Sequence, residues 1–164
     1  MHKIARFEKV SLSQFTSNLD STIDVSCYQE IILPTRATSG SAGYDFKAPY
    51  AFTLKPKETI KVVTGIRCFM EPGWFLAIFP RSSLGFKYRL QLDNTVGIID
   101  SDYYHANNEG HIMIKVTNHS DSTLSIQQGE GFAQGIFIPF GICMDDETSE
   151  KRTGGFGSTN KEKL

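Results

Sequence analysis

The residue types able to do chemistry fall in five short segments of this 164-residue chain. In residues 93–104, DNTVGIIDSDYY, an extended backbone past Ile99 would project Asp100 and Asp102 from one face, directly after an apolar run that desolvates them. Such a pair suits a carboxylate base or the support of a metal; an isolated match is more often a turn capping a strand. Residues 79–87, FPRSSLGFK, set Arg81 beside Ser82 and Ser83. A guanidinium fork with neutral hydroxyl and backbone donors fits phosphate oxygens, although a Pro-Arg-Ser-Ser turn is more often a plain surface loop. In residues 38–45, TSGSAGYD, small residues permit close backbone approach and Asp45 opens the next strand. In residues 129–135, GEGFAQG, Gln134 interrupts an apolar strand, where it either satisfies buried backbone or points into a site. Residues 152–159, RTGGFGST, resemble a glycine-rich phosphate loop but lack its lysine and its flanking strand and helix.

The elements that must position these groups read as strands. In residues 111–117, Ile112, Ile114 and Val116 alternate with polar neighbours, the period of a half-buried strand, and Leu124 and Ile126 repeat it. Further strands are expected at 31–33, 44–47, 59–63, 66–70, 74–79, 96–99 and 132–139, separated by turns such as 55–57, 71–73 and 128–130. Their number and spacing predict an all-β antiparallel sandwich or barrel. A short helix is expected within residues 11–19. After Met144, residues 145–164 hold one phenylalanine and no aliphatic side chain before the terminal leucine, so the core domain is expected over 1–144, followed by a mobile arm.

Composition narrows the function classes. A net charge of −1, from 17 basic and 18 acidic residues, leaves no broad basic face for a polynucleotide. The apolar runs at 74–80 and 135–142 are far short of the ~20 residues of a membrane-spanning helix. The start of the chain has no apolar run of the signal-peptide kind. Cys27, Cys68 and Cys143, without a Cys-x-x-Cys pair, are expected as reduced thiols of a cytoplasmic protein.

In this order and spacing, SAGYDF at 41–46, PRSSLG at 80–85, VGIIDSDY at 96–103 and GGFGST at 154–159 resemble the motif set of the trimeric dUTP diphosphatases, over about residues 34–160. The resemblance implies a distorted jelly-roll β barrel of the β-clip type with a flexible C-terminal arm, forming a homotrimer with shared active sites. It implies hydrolysis of dUTP to dUMP and pyrophosphate by water attack at the α-phosphorus. That reaction limits uracil in DNA and supplies dUMP for dTMP synthesis. Mg²⁺ would be held mainly through the triphosphate, with no direct protein ligand assigned.

Carried over by position, Asp100 would be the general base and Gln134 would help hold the water. Arg81, Ser82 and Ser83 would cradle phosphates, with Asp45 and Asp102 in support. The strand pair around Asn94, Gly97 and Ile99 would read the uracil edge, and Tyr103 would pack on the deoxyribose and leave no room for a 2′-hydroxyl. Phe156 would stack on the base while Arg152, Gly157, Ser158 and Thr159 close the arm over the phosphates. Residues 104–109 look like an insertion relative to the family, which leaves Tyr103 and Tyr104 as alternatives for the sugar. Lys151 and Arg152 are likewise alternatives for the arm's cation, and the first 30 residues have no counterpart. A dCTP deaminase of the same fold lacks the DSDY and GGFGST runs; a dUTP-sensing regulator is the alternative from another class.

Overall fold

Alternation along residues 112–118 is the plainest determinant of the architecture: Ile112, Ile114 and Val116 are buried to within 2% while Lys115 faces out. The structure, a computed structural model, describes residues 2–150 together with Arg152 and Gly154. In chain order these form β1 (Ala5–Lys9), α1 (Leu12–Thr16), a 3-10 turn (Val25–Tyr28), β2 (Thr35–Arg36), β3 (Tyr44–Lys47), β4 (Phe52–Leu54), β5 (Thr59–Met70), β6 (Trp74–Pro80) and α2 (Ser82–Tyr88). There follow β7 (Leu90–Leu92), β8 (Gly97–Asp100), a second 3-10 turn (Ser101–His105), β9 (Ile112–Asn118), β10 (Leu124–Ile126) and β11 (Gly131–Pro139).

The strands make three antiparallel sheets, ordered β1-β5-β9-β7, β2-β3-β11-β6-β8 and β10-β4. They enclose one jelly-roll-like core in which Phe46, Ile66, Leu76, Ile78, Leu124 and Phe132 are almost wholly buried. No helix among the described residues is long and apolar enough to cross a membrane. Cys27 and Cys68 are buried free thiols and Cys143 an exposed one.

Three local expectations need correction. Residues 31–33 form no strand: no neighbouring strand among the described residues offers them a ladder, so Ile31 plugs the core while Ile32 and Leu33 lie exposed. The strands expected at 59–63 and 66–70 are one, β5, interrupted by a bulge at Thr64 and Gly65. Gly65 turns there at φ 71°, and the Thr64 hydroxyl bridges the gap, donating to the Ile112 carbonyl at 2.6 Å and accepting from the Ile66 amide at 3.1 Å. The Pro-Arg-Ser-Ser segment is not a loop but the entry to α2.

The first 30 residues, without a counterpart in sequence, are part of the barrel. β1 pairs with β5 from Ala5–Met70 to Lys9–Ile66 and covers that sheet edge. Ser11 caps α1 by accepting from the Gln14 amide at 3.2 Å, which lets the helix drive Phe15, fully buried, against Tyr28, His111 and the Gly65 bulge.

Candidate functional site

A cavity of about 600 Å³ opens between the turn after β7, strand β8, the second 3-10 turn and β9. The turn is tight: Thr95 sits at φ 66° and its amide donates to the Leu92 carbonyl at 3.0 Å. The strand pair expected around Asn94 is not a ladder, because β7 pairs with β9 in one sheet and β8 with β6 in the other. The turn therefore bridges two sheets, and the gap between them is the cavity. Gly97 permits it: a Cβ there would stand 3.0 Å from Ile78 Cβ, so any side chain would press β8 away from β6. Asp93 holds the rim, accepting from Thr117 Oγ1 at 2.5 Å and pairing with Lys115 at 3.0 Å. The Thr117 hydrogen bond, aided by Lys115, keeps its carboxyl below the usual range.

The two aspartates meet by a route other than the one expected. The backbone does not stay extended; β8 ends at Asp100 and the chain curls into the 3-10 turn. Both carboxylates nevertheless converge on Arg152, whose Nη2 pairs with Asp100 and whose Nε donates to Asp102 at 2.9 Å. The Arg152 guanidinium carbon also lies 5.9 Å from the centre of the Tyr103 ring. Tyr103 is 95% buried against the cavity, its hydroxyl donating to the His111 carbonyl at 2.8 Å and accepting from Asn108 Nδ2 at 2.7 Å. Burial raises its pKa.

Tyr104 turns elsewhere. Its hydroxyl donates to Glu8 at 2.6 Å, its ring lies under Arg67 and meets Phe69 edge-on, and it does not line the cavity. That hydrogen bond, then those of Arg6 and Arg67, hold the Glu8 carboxyl down at about 2.

Asp45, Arg81 and Gln134 form a second group at the far end of β6. Asp45 pairs with Arg81 at 3.4 Å, Arg81 Nη1 donates to the Gly131 carbonyl at 3.3 Å, and Gln134 Nε2 donates to the Pro80 carbonyl at 3.1 Å. Gln134 thus satisfies backbone while remaining half-exposed, and Gly43 makes room for it: a Cβ there would lie 2.6 Å from Gln134 Oε1. Ser82 and Ser83 are exposed in the first turn of α2, where amides lack intrahelical partners. Register fixes the gap between the groups. Asp100 stands opposite Phe75 and Gln134 opposite Phe79, on strands flanking β6, which separates their Cα atoms by roughly 16 Å.

A family profile described as dUTPase matches residues 29–160. The deoxyuridine 5'-triphosphate nucleotidohydrolase of Lactococcus lactis is 43% identical over 132 residues, covering 79% of this chain and 88% of that protein. The chain belongs to the dUTPase family. The corresponding Tolumonas auensis protein is 42% identical over 147 residues, 85% of this chain and 94% of that one. A crystal structure of dUTPase from Streptococcus mutans superposes with a TM-score of 0.65 at 37% identity, covering 84% of this chain and 97% of its own. A mutant dUTPase of Staphylococcus bacteriophage 80alpha with dUpNHpp shares the fold, with a TM-score of 0.65 at 16% identity over 93% of this chain and 100% of its own.

Of the residues singled out in this dUTPase sequence, Asn94, Gly97, Ile99, Asp100, Tyr103 and Arg152 line one cavity. Asp102 reaches it through Arg152, and Arg81, Ser82, Ser83, Asp45 and Gln134 lie outside it. Phe156, Gly157, Ser158, Thr159 and Lys151 lie outside the described residues. The Asp93–Thr117–Lys115 rim and Asn108 behind Tyr103 join the site only through contacts made on folding. The run Asn108-Glu109-Gly110 carried a usable signal, since an asparagine side chain can accept from the amide two residues on and so favours a turn there.

Proposed function

We propose that this dUTPase hydrolyses dUTP to dUMP and pyrophosphate in a site completed by neighbouring subunits of a homotrimer. The observation that carries the reading is the cavity uniting Asn94, Gly97, Ile99, Asp100 and Tyr103, a floor for a nucleoside with a carboxylate at its edge. Backbone groups of the turn and β8 and the Asn94 side chain suit a uracil edge, and a site of fixed hydrogen bonds refuses cytosine by leaving polar groups unpaired. Tyr103 walls the sugar. Asp100 takes the proton from water as its oxygen bonds to the α-phosphorus, and the bond to the bridging oxygen breaks to release pyrophosphate.

Arg81, Ser82 and Ser83 supply donors for the developing phosphate charge, Gln134 steadies the water, and Asp45 aims Arg81 through their ion pair. Because Gln134 lies roughly 16 Å from Asp100 in one chain, and Asp45 and Arg81 group with it at that far end of β6, a second chain is the source of this set. Ile98, Ala77 and Ile136 are register neighbours on β8, β6 and β11; Ala77 is buried, but Ile98 is 53% exposed and Ile136 half-exposed, and these two apolar residues support assembly through that face. Residues 145–164 act as the closing arm: Phe156 stacks on uracil, and Arg152, Gly157, Ser158 and Thr159 reach the phosphates. Mg²⁺, held mainly through the triphosphate, neutralises phosphate charge when bound. The chain fits an ion carried on the substrate, since Mg²⁺ takes one or two carboxylates besides substrate phosphates and no group of three or more His, Cys, Asp or Glu among the described residues could hold it alone; Asp102 would be the carboxylate in support. The free thiols support a reducing, cytoplasmic setting.

Incubation with dUTP or dCTP and Mg²⁺, reading pyrophosphate and ammonia, tests the reading. Pyrophosphate from dUTP alone, reduced about 10²- to 10⁴-fold in Asp100→Asn, is expected. Ammonia from dCTP would identify a deaminase instead, and dUTP binding without turnover a sensor.

A further inference from the structure

The residues between the 3-10 turn and β9 form a brace behind Tyr103. Asn108 Nδ2 donates to the Tyr103 hydroxyl at 2.7 Å, and that hydroxyl spends its own proton on the His111 carbonyl at 2.8 Å. Asn108 is held in turn: its Oδ1 accepts from the Gly110 amide at 3.2 Å and its carbonyl from the His111 amide at 3.1 Å. Glu109 and Gly110 both occupy the left-handed region, at φ 58° and 67°. A Cβ on Gly110 would stand 2.7 Å from the Tyr103 carbonyl oxygen and from Tyr104 Cα, so the loop lies directly against the turn that carries Tyr103. Glu109, which is not glycine, is kept in this conformation from outside. Its carboxylate accepts from the Ser11 amide at 2.8 Å and the Ser11 hydroxyl at 2.5 Å, tying the loop to the cap of α1.

A steric wall discriminates only as far as it resists retreat. Refusing a 2′-hydroxyl requires that the ring cannot move back by the width of an oxygen, and a buried ring tied at its hydroxyl has lost that freedom. We propose that Asn108 is a positioning residue for sugar selection: by holding the Tyr103 hydroxyl from behind, it fixes how far the ring stands into the cavity and so how strongly a ribonucleotide is refused. The inference rests on the cavity as the dUTP site and adds a residue that touches no substrate.

The test compares kcat/KM for dUTP and for UTP, by pyrophosphate release, in the full-length wild type, Asn108→Ala, Tyr103→Phe and the double variant. Tyr103→Phe keeps the ring and removes both bonds of its hydroxyl, the one from Asn108 and the one to the His111 carbonyl. Asn108→Ala should lower the preference for dUTP about five- to tenfold, the weight of one buried hydrogen bond, and Tyr103→Phe, which loses two, by at least as much. The change in Asn108→Ala should come mainly from a gain on UTP, with kcat on dUTP within about twofold of wild type, since no contact to dUTP is removed. The double variant should be no less selective than Tyr103→Phe, because that substitution already breaks the tie that Asn108→Ala removes. An unchanged preference in a folded Asn108→Ala, a loss shared equally by both substrates, or independent losses that multiply in the double variant would each overturn the proposal. Should Asn108→Ala not fold, an unchanged preference in Tyr103→Phe overturns it as well. Wild-type protein inert toward dUTP overturns the cavity reading itself, an outcome visible before any variant is compared.

Discussion

Acidification to pH 5 should loosen the barrel at one identifiable atom. His111 is fully buried ahead of β9, and its Nε2 accepts the amide proton of Gly65 at 2.9 Å. The ring is therefore neutral, with its proton on Nδ1, which has no partner among the described residues. Burial, the largest influence, pulls the pKa from 6.5 down to about 4; Glu109 pushes it up and Lys61 down. Because the folded ring binds a proton less readily than the unfolded one, the unfolded chain takes up more protons as the pH falls. The contribution is thus complete above about 6.5 and is lost as pH drops toward 4. Between pH 8 and pH 5 the loss amounts to about 2 kcal/mol, which in a chain of this size lowers the melting midpoint by about 4–8 °C. Thermal melts of wild type and His111→Gln at pH 8, 6.5 and 5, at one protein concentration, check this. Glutamine can accept the Gly65 amide but does not titrate, so its curve subtracts every other ionisable group. The wild type should fall faster with acid by that margin; parallel curves would refute the reasoning.

Phe15→Ala should cost about 3–5 kcal/mol, read as a lowered melting midpoint, because it empties a fully buried site between Tyr28, His111 and the Gly65 bulge. Ending the chain after Ser149 should leave the melting curve near that of the full chain while pyrophosphate release from dUTP falls at least about a hundredfold, the arm's part in positioning being lost. Unimpaired turnover in that truncation would remove the arm from the mechanism.

Strand content was legible where burial alternates, as in residues 111–117, and the carboxylates were legible because their neighbours are apolar. Other features depended on partners far away in the chain. An apolar run such as Ile31–Leu33 reads alike whether it joins a ladder or supplies a single plug, and only the presence or absence of a neighbouring strand decides. The 3-10 turn at Ser101–His105 escaped notice because period-two spacing of Asp100 and Asp102 already explained their common direction; the actual convergence is made by a cation about 50 residues later. Asn108 and Glu109 looked like inserted loop residues because the groups that give them roles, the Tyr103 hydroxyl and the Ser11 cap, are brought to them by folding.

Sheet register is what supports the proposal of a site shared between chains. The roughly 16 Å between Gln134 and Asp100 is set by four residues of β6 and two strand spacings, and no rotamer change can close it. Copies packed through the face that carries Ile98 and Ile136 could place the Arg81 group of one chain against the cavity of the next. Complementation tests this arithmetic. Arg81→Ala and Asp100→Asn should each be nearly inactive alone. When the two are co-expressed in equal amounts and assemble at random, a site taking Arg81 from one chain and Asp100 from its neighbour has both native residues about one time in four. Activity near a quarter of wild type would mean that sites are shared. If each chain instead carried both residues of its own site, every site in the mixture would lack one of them, and the mixture would stay as inactive as its components.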